Sequence, residues 1–384
     1  MEFSWTPEHG DLRAAVRGVL TAKAPLSRAR ELAEAGERHD PEMWETLAAQ
    51  LGLQGLGLPE EHGGSGGSLV DLAIVMEEMG AVLFGGPFLP TAVLAANVLA
   101  ALPRDPVAGE LLPPLAEGEL TATVAVVEAD GRWAPESVRS SARRGTGGPV
   151  LDGDKELVLD GADAEVILVL AQSEAGATWY AVEGAAAGLT RVPRQVLDGT
   201  RPAARLEMRG TPARRIGERG GGWAVAERMR RTAAILLAAE QAGAAGELVR
   251  RTAEYAKTRR QFGRPVGGFQ GVKHRLADMA VRHEMARSAA FWAAWQEPGS
   301  SGQDFGSLVA RSYCGGAFLQ TAKDAIQLHG GIGFTWEHDA HLFLRRARLD
   351  ATLLGGEAEA RSALLPHVLT DLTDPSPEPQ GATR

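Results

Sequence analysis

The stretch Tyr255-Ala-Lys-Thr-Arg259-Arg-Gln261-Phe262-Gly263-Arg-Pro265 decides how this chain is read. It closes a proline-free run from about Trp223 to Gln261, and Gly263 and Pro265 are the stop signal of one long helix. Arg259 and Phe262 stand three residues apart at that helix end, a spacing that projects both to one side. The arginine offers a planar fork of donors suited to a phosphate or pyrophosphate. The phenylalanine adds an apolar face next to it.

A second stretch, Gln327-Leu-His329-Gly330-Gly331-Ile-Gly333-Phe334, lies at the end of another helical run from about Phe305 to His329. Gly330 and Gly331 let backbone N–H groups approach an anion closely, because no Cβ intervenes. Gln327 can donate and accept at once, which suits a sugar or a base. Between the two stretches the spacing predicts a helix from about Phe269 to Trp295, with Val272, Leu276 and Met279 on one face. Lys273 and His274 read as surface residues of that helix, and Glu297 to Gly302 breaks it.

Upstream the period changes. From about 119 to 216 the pattern is of short strands: Thr123–Val127, Val150–Leu151, Glu156–Leu159, Val166–Leu170, Trp179–Val182 and Ala204–Met208. Asp152-Gly153 reads as a hairpin turn and Asp160-Gly161 as the next turn, giving a small all-β unit of six or seven strands. Residues 1–118 are helical again. Pro41-Glu42 opens one helix, and Ser68 caps another that runs to Gly80 after the loop Pro59-Glu60-Glu61-His62-Gly63-Gly64. The expected division is an N-terminal helical domain (1–118), a β-barrel or sandwich (119–216), a C-terminal four-helix bundle (217–371) and a disordered, proline-bearing tail (372–384): an α+β multidomain chain.

Composition narrows the function classes. The 384 residues carry 40 basic and 49 acidic side chains, a net charge of −9, with no basic block, so nucleic acid is excluded as a partner. A single cysteine, Cys314, excludes a disulfide framework and a cysteine-based zinc site, and it reads as a small buried filler beside Gly315 and Gly316. No apolar run approaches the ~18–20 residues of a membrane helix, and the N-terminus lacks a secretory pattern. A cytoplasmic setting is expected.

Helices, a β unit, then long helices carrying these two motifs resemble the acyl-CoA dehydrogenase family along nearly the whole chain. The resemblance implies FAD as cofactor and α,β-dehydrogenation of an acyl-CoA thioester, with an electron-transfer flavoprotein as acceptor. It also implies that FAD is bound across a subunit interface, the β-domain of one subunit holding the isoalloxazine and the helices of its neighbour holding the adenine and pyrophosphate. That second role would fall to Arg259, Gln261, Phe262, Gln327, Gly330 and Gly331.

The chain departs from the family where the chemistry is done. The reaction needs a desolvated carboxylate to take the α-proton. At the two family positions for this base stand Gly355 and Ala233, neither of which can ionise. Glu240, two turns beyond Ala233, is a substitute to consider, against its reading as a salt-bridge partner. Glu357 and Glu359 read as charges favouring the start of the last helix. In the β unit, Leu157 replaces the family's aromatic, and Leu159 replaces a hydroxyl that would bond the flavin ring.

Three readings follow. The first is the non-catalytic subunit of a heteromeric (α2β2) enzyme, resembling paired actinobacterial subunits that act on bulky steroid or polyketide-like CoA thioesters and completing a sister subunit's FAD site. The second is a self-sufficient homotetramer with an atypical base. The third is a flavin-free structural or binding member of the fold.

Overall fold

The computed structural model describes residues 4–36 and 40–373. Six helices come first: α1 (Pro7–Lys23), α2 (Leu26–Ala35), α3 (Pro41–Leu51), α4 (Leu69–Ala81), α5 (Ala96–Ala100) and α6 (Pro106–Ala116). Ser68 starts α4 as expected. Its backbone N–H donates to Asp71 at 2.8 Å while its hydroxyl accepts from the Asp71 N–H, so two donors left over at the helix start are satisfied reciprocally.

Eight strands follow: β1 (Ala122–Ala125), β2 (Ser141–Gly145), β3 (Gly148–Leu159), β4 (Val166–Ser173), β5 (Gly176–Glu183), β6 (Leu189–Pro193), β7 (Ala203–Pro212) and β8 (Arg214–Ile216). They form one mixed sheet in the order β6-β7-β3-β2-β4-β5-β8, with β1 parallel to β4. Alternation along β4 sorts its two faces. Ile167 and Val169 enter the core inside the β unit, while Leu168 and Leu170 pack toward the helices.

The expected turn at Asp152-Gly153 is absent. β3 runs straight through, and its pairing with β7 shifts register between Leu151 and Asp152 instead. Gly153 sits at φ 138°, and Asp152 accepts the Gly210 N–H and the Arg143 guanidinium. A bulge absorbs what the local sequence spells as a hairpin. A second shift, between Lys155 and Val158, throws Leu157 into the left-handed region at φ 51°.

The C-terminal part holds α7 (Gly222–Thr258), α8 (Gln270–Ala294), α9 (Ser301–His329), α10 (Ala340–Asp350) and α11 (Gly356–Thr373). α11 extends two residues into the stretch expected as tail; the tail from 374 lies outside the described residues. α7 has no polar face between Ala233 and Ala245, because α4, α8 and α9 surround it. It approaches α4 at reciprocal glycines. A Cβ on Gly80 would lie 2.0 Å from the Glu240 carbonyl oxygen, and one on Gly243 1.9 Å from that of Glu77. Among the described residues, no helix is long and apolar enough to cross a membrane.

A buried charge cluster joins the three parts. Arg346 of α10, fully buried, donates to Glu240 of α7, to Asp198 and Thr200 in the loop before β7, and to the carbonyls of Leu83 and Phe84 after α4. Arg201 donates to Glu240 and to Asp350. Two guanidiniums thus face three carboxylates. Burial first, with Glu240 and Asp198 as like charges, outweighs Arg201 and Arg346 and pushes the Asp350 carboxyl from 3.8 up to about 7.

Replacing Arg346 by Met is expected to cost about 3–5 kcal/mol in urea unfolding, because it strips partners from buried carboxylates. Asp350 binds its proton more tightly folded than unfolded, so its contribution to stability falls as pH rises from about 4 to about 7. Asp350→Asn should remove that slope. Its urea midpoint relative to the wild type should rise between pH 5 and pH 8.

Candidate active site

The two quoted motifs meet at one end of the bundle, although not as helix spacing suggests. α7 stops at Thr258. Arg260-Gln261 (β9) then pairs antiparallel with Arg264-Pro265 (β10), and Phe262 and Gly263 form the turn at φ 50° and 79°. Positive φ at both central residues is the mark of a type I′ hairpin. Arg259 and Phe262 therefore share a hairpin, not a helix face. The glycine and the proline set the turn and its returning strand rather than a helical stop. Phe262 is 91% exposed, an unusual state for an aromatic held in a strained backbone conformation.

Tyr255 ties the second motif to this hairpin. Its hydroxyl donates to the His329 carbonyl at 3.1 Å, and the two rings lie 4.4 Å apart. The His338 ring lies 4.2 Å beyond. Burial lowers the pKa of His329, and burial with the neighbouring His329 pushes His338 down to about 4, so the stack is neutral at neutral pH. Gln327, Gly330 and Gly331 are exposed just past it. Gly330 needs its lack of a side chain, at φ 67° and ψ −144°. Gly331 does not: a Cβ there meets nothing within 4 Å, and its φ is not positive. Among the described residues, no carboxylate pairs with the Arg259 guanidinium. These groups suit an anionic, aromatic molecule arriving from outside the chain.

Elsewhere, a cavity of about 470 Å³ opens over Leu157 and Leu159. Val124 and Val126 continue its β wall, Leu89 and Leu94 form a second wall, Met229 and Leu237 of α7 a third, and Leu353 and Leu354 close it. Two carboxylates reach it, and both are engaged. Glu156 is held by Arg194, with Nη2 2.8 Å from Oε1. Glu128 accepts from the Lys155 ammonium and from the N–H groups of Arg139 and Ser140. Burial alone would raise the Glu128 carboxyl, but Lys155 and Ser140 hold it below its usual value, the opposite of what a proton-abstracting base needs. Burial pushes the Lys155 ammonium down to about 8 despite Glu128.

The positions expected for a base remain without one. Ala233 is fully buried in α7. Gly355 sits at φ 90°, and a Cβ there would lie 2.3 Å from a Glu359 carboxylate oxygen. Glu240 lies in the charge cluster between Arg201 and Arg346 and does not line the large cavity. Glu359 is drawn to Arg230, and Glu357 to Arg361.

Reading the sequence missed three features: the Tyr255–His329–His338 stack, the buried Lys155–Glu128 pair and the Arg194–Glu156 rim. Only the second left a local trace: Lys155 is the single basic residue of β3, set between Asp154 and Glu156.

An isoalloxazine does not fit this cavity. Its polar edge needs partners, yet the side chains at Leu157 and Leu159 offer none. Three of the nearby backbone groups are already committed: Glu156 N–H to the Val127 carbonyl, the Val126 carbonyl to Lys155, and the Leu159 carbonyl to Thr123. Restoring a carboxylate by Gly355→Glu should not produce turnover from the isolated chain. Its left-handed backbone and collision with Glu359 should cost about 1–2 kcal/mol, seen as a lower melting temperature.

Known proteins resemble this chain along most of its length. Residues 6–119 match the family described as acyl-CoA dehydrogenase, N-terminal domain, and residues 220–366 match acyl-CoA dehydrogenase, C-terminal domain. The acyl-CoA dehydrogenase IpdE2 of Mycolicibacterium smegmatis is 32% identical over 348 residues, 91% of this chain and 94% of that protein. Two solved structures are similar throughout. A variant of the Tcur3481-Tcur3483 steroid ACAD is 29% identical, with a TM-score of 0.84 over 96% of this chain and 99% of that one. The ChsE4-ChsE5 complex from Mycobacterium tuberculosis is 28% identical, with a TM-score of 0.84 over 98% and 100%.

Proposed function

The chain belongs to the acyl-CoA dehydrogenase family, and on that premise we propose that it is the non-catalytic subunit of a heteromeric FAD-dependent enzyme that dehydrogenates a bulky, steroid-type acyl-CoA. The observation that carries this is a division within one chain. The groups that would grip a cofactor lying on a neighbour are present and turned outward. The groups that would serve a flavin and a base of its own are missing.

When bound, the flavin supplies the two-electron acceptor. This chain's part is to hold it. Arg259 brings an unpaired guanidinium to the pyrophosphate, Phe262 an apolar face to the adenine side, and Gln327 a donor and acceptor for its polar groups. Gly331 keeps the backbone open where nothing within the chain requires glycine. The Tyr255 hydroxyl fixes the two segments relative to each other, and the imidazoles behind them, kept neutral by burial, add no charge. Exposed Phe334 and Trp336, and Val281 and Met285 on the outer face of α8, supply apolar area for a sister subunit around the grip. The sister subunit then supplies the carboxylate and the ring site. Both similar structures are named as pairs, one of them a steroid ACAD, which favours this reading over a homotetramer.

The test is to express the chain alone and with the product of the neighbouring gene. Flavin absorbance and turnover should come only from the pair. Yellow, active protein from the single chain would instead make it a self-sufficient homotetramer, and a colourless, inactive pair would make it a flavin-free member of the fold. In the pair, Arg259→Ala should weaken flavin retention roughly ten- to hundredfold, measured by fluorescence of released FAD, as loss of a charge-assisted contact predicts.

A further inference from the structure

We propose that the cavity over Leu157 and Leu159 is a ligand site in its own right, built for a neutral, hydrocarbon-rich molecule rather than for a flavin ring. This rests on the reading above only in placing the isoalloxazine elsewhere. Three independent observations converge on it.

The first is the lining. A cavity of about 470 Å³ falls in the range that encloses most of a drug-sized ligand. Leu89, Leu94, Val124, Met229 and Leu237 present apolar side chains, and the backbone carbonyls of Val126 and Leu159 beneath are already bonded. Such a space does not hold water well, and apolar ligands fill it readily.

The second is strain. Two of the few non-glycine residues with positive φ stand on different walls of this one cavity: Leu157 at 51° on the β-sheet and Leu354 at 55° in the loop before α11. Each costs the fold about 1 kcal/mol in backbone conformation. In each case the distortion brings a branched apolar side chain to the lining.

The third is charge. The charged groups that reach the lining are neutralised: Glu156 by Arg194, and Glu128 by the buried Lys155 behind it. Among the described residues, the one cation in the lining, Arg194, is already paired, so none awaits a carboxylate or phosphate. The fitting ligand carries at most a neutral polar group, such as a ketone or hydroxyl, to meet these pairs. A fused-ring sterol and an esterified long acyl chain share this chemistry.

Trp133 in the lining makes the test direct. The full chain is titrated with dehydroergosterol, a neutral polycyclic polyene, with methyl parinarate, a neutral linear polyene, and with riboflavin. Tryptophan emission is followed for energy transfer. Saturable one-to-one transfer to either polyene, reduced in Trp133→Phe and reduced further when Trp223, 6.2 Å away, is also replaced by Phe, while equilibrium dialysis still finds the polyene bound, is the expected result, and the stronger of the two identifies the ligand shape. Leu157→Asn and Leu354→Asn should each weaken polyene binding roughly tenfold by placing an amide in the lining. Because asparagine tolerates the left-handed region, neither variant should melt lower than the wild type. Absence of saturable polyene binding, wild-type affinity in both asparagine variants, or preferential binding of riboflavin would overturn the proposal. The heteromer reading fails separately. A pair that retains flavin through Arg259 but binds no polyene sinks only the present inference. A chain that binds polyene but completes no partner's flavin site sinks only the other.

Discussion

The Arg346 guanidinium has no access to water, so its donors must find acceptors inside the protein. They find them in each part of the chain: the turn after α4, the loop before β7, and α7. A planar cation with fixed donor directions tolerates little movement of its acceptors. The relative placement of the helical layers and the β unit follows from that constraint. So does the shape of the space between them, since the cavity takes its walls from β1, β3, α7 and the loop after α10. Glu240 belongs to this constraint. A carboxylate held by two guanidiniums in the interior is a fastener, and its absence from the cavity lining agrees with that role.

Backbone strain follows the same geography. Leu83 at φ 52° presents its carbonyl to Arg346, Phe262 heads the exposed hairpin, and Leu157 and Leu354 line the cavity. Strained residues persist where surrounding structure over-determines them. Here they mark the join between parts, the exposed hairpin and the interior pocket. The pocket is lined mostly by apolar side chains, in keeping with the proposal that a cofactor gripped at the hairpin has its ring housed elsewhere.

Much of this was legible along the chain. The helix at Ser68 was announced by its cap, the strands by short apolar runs, and the long α7 by the absence of proline. The two motifs were recognisable because their residue types carry chemistry wherever they fold. The hairpin expected at Asp152-Gly153 was not correct, since a glycine in a strand can mark either a turn or a bulge and only the pairing with β7 decides which. The placement of Arg259 and Phe262 on one helix face failed for a related reason. Phe262 adopts a conformation that propensity assigns to glycine or asparagine, so the turn was invisible from residue types.

The sequence by itself determined the family, the order of helical and strand regions, and the absence of a carboxylate at Gly355 and Ala233, because these depend on residue identity and local periodicity. Only the tertiary structure decided that Glu240 is clamped, that Lys155 neutralises Glu128, that Tyr255 joins the two motifs and that a hydrocarbon-lined space remains over Leu157. Each of these is a contact between residues far apart in the chain, and what an ionisable or apolar side chain does depends on the neighbours that folding brings to it.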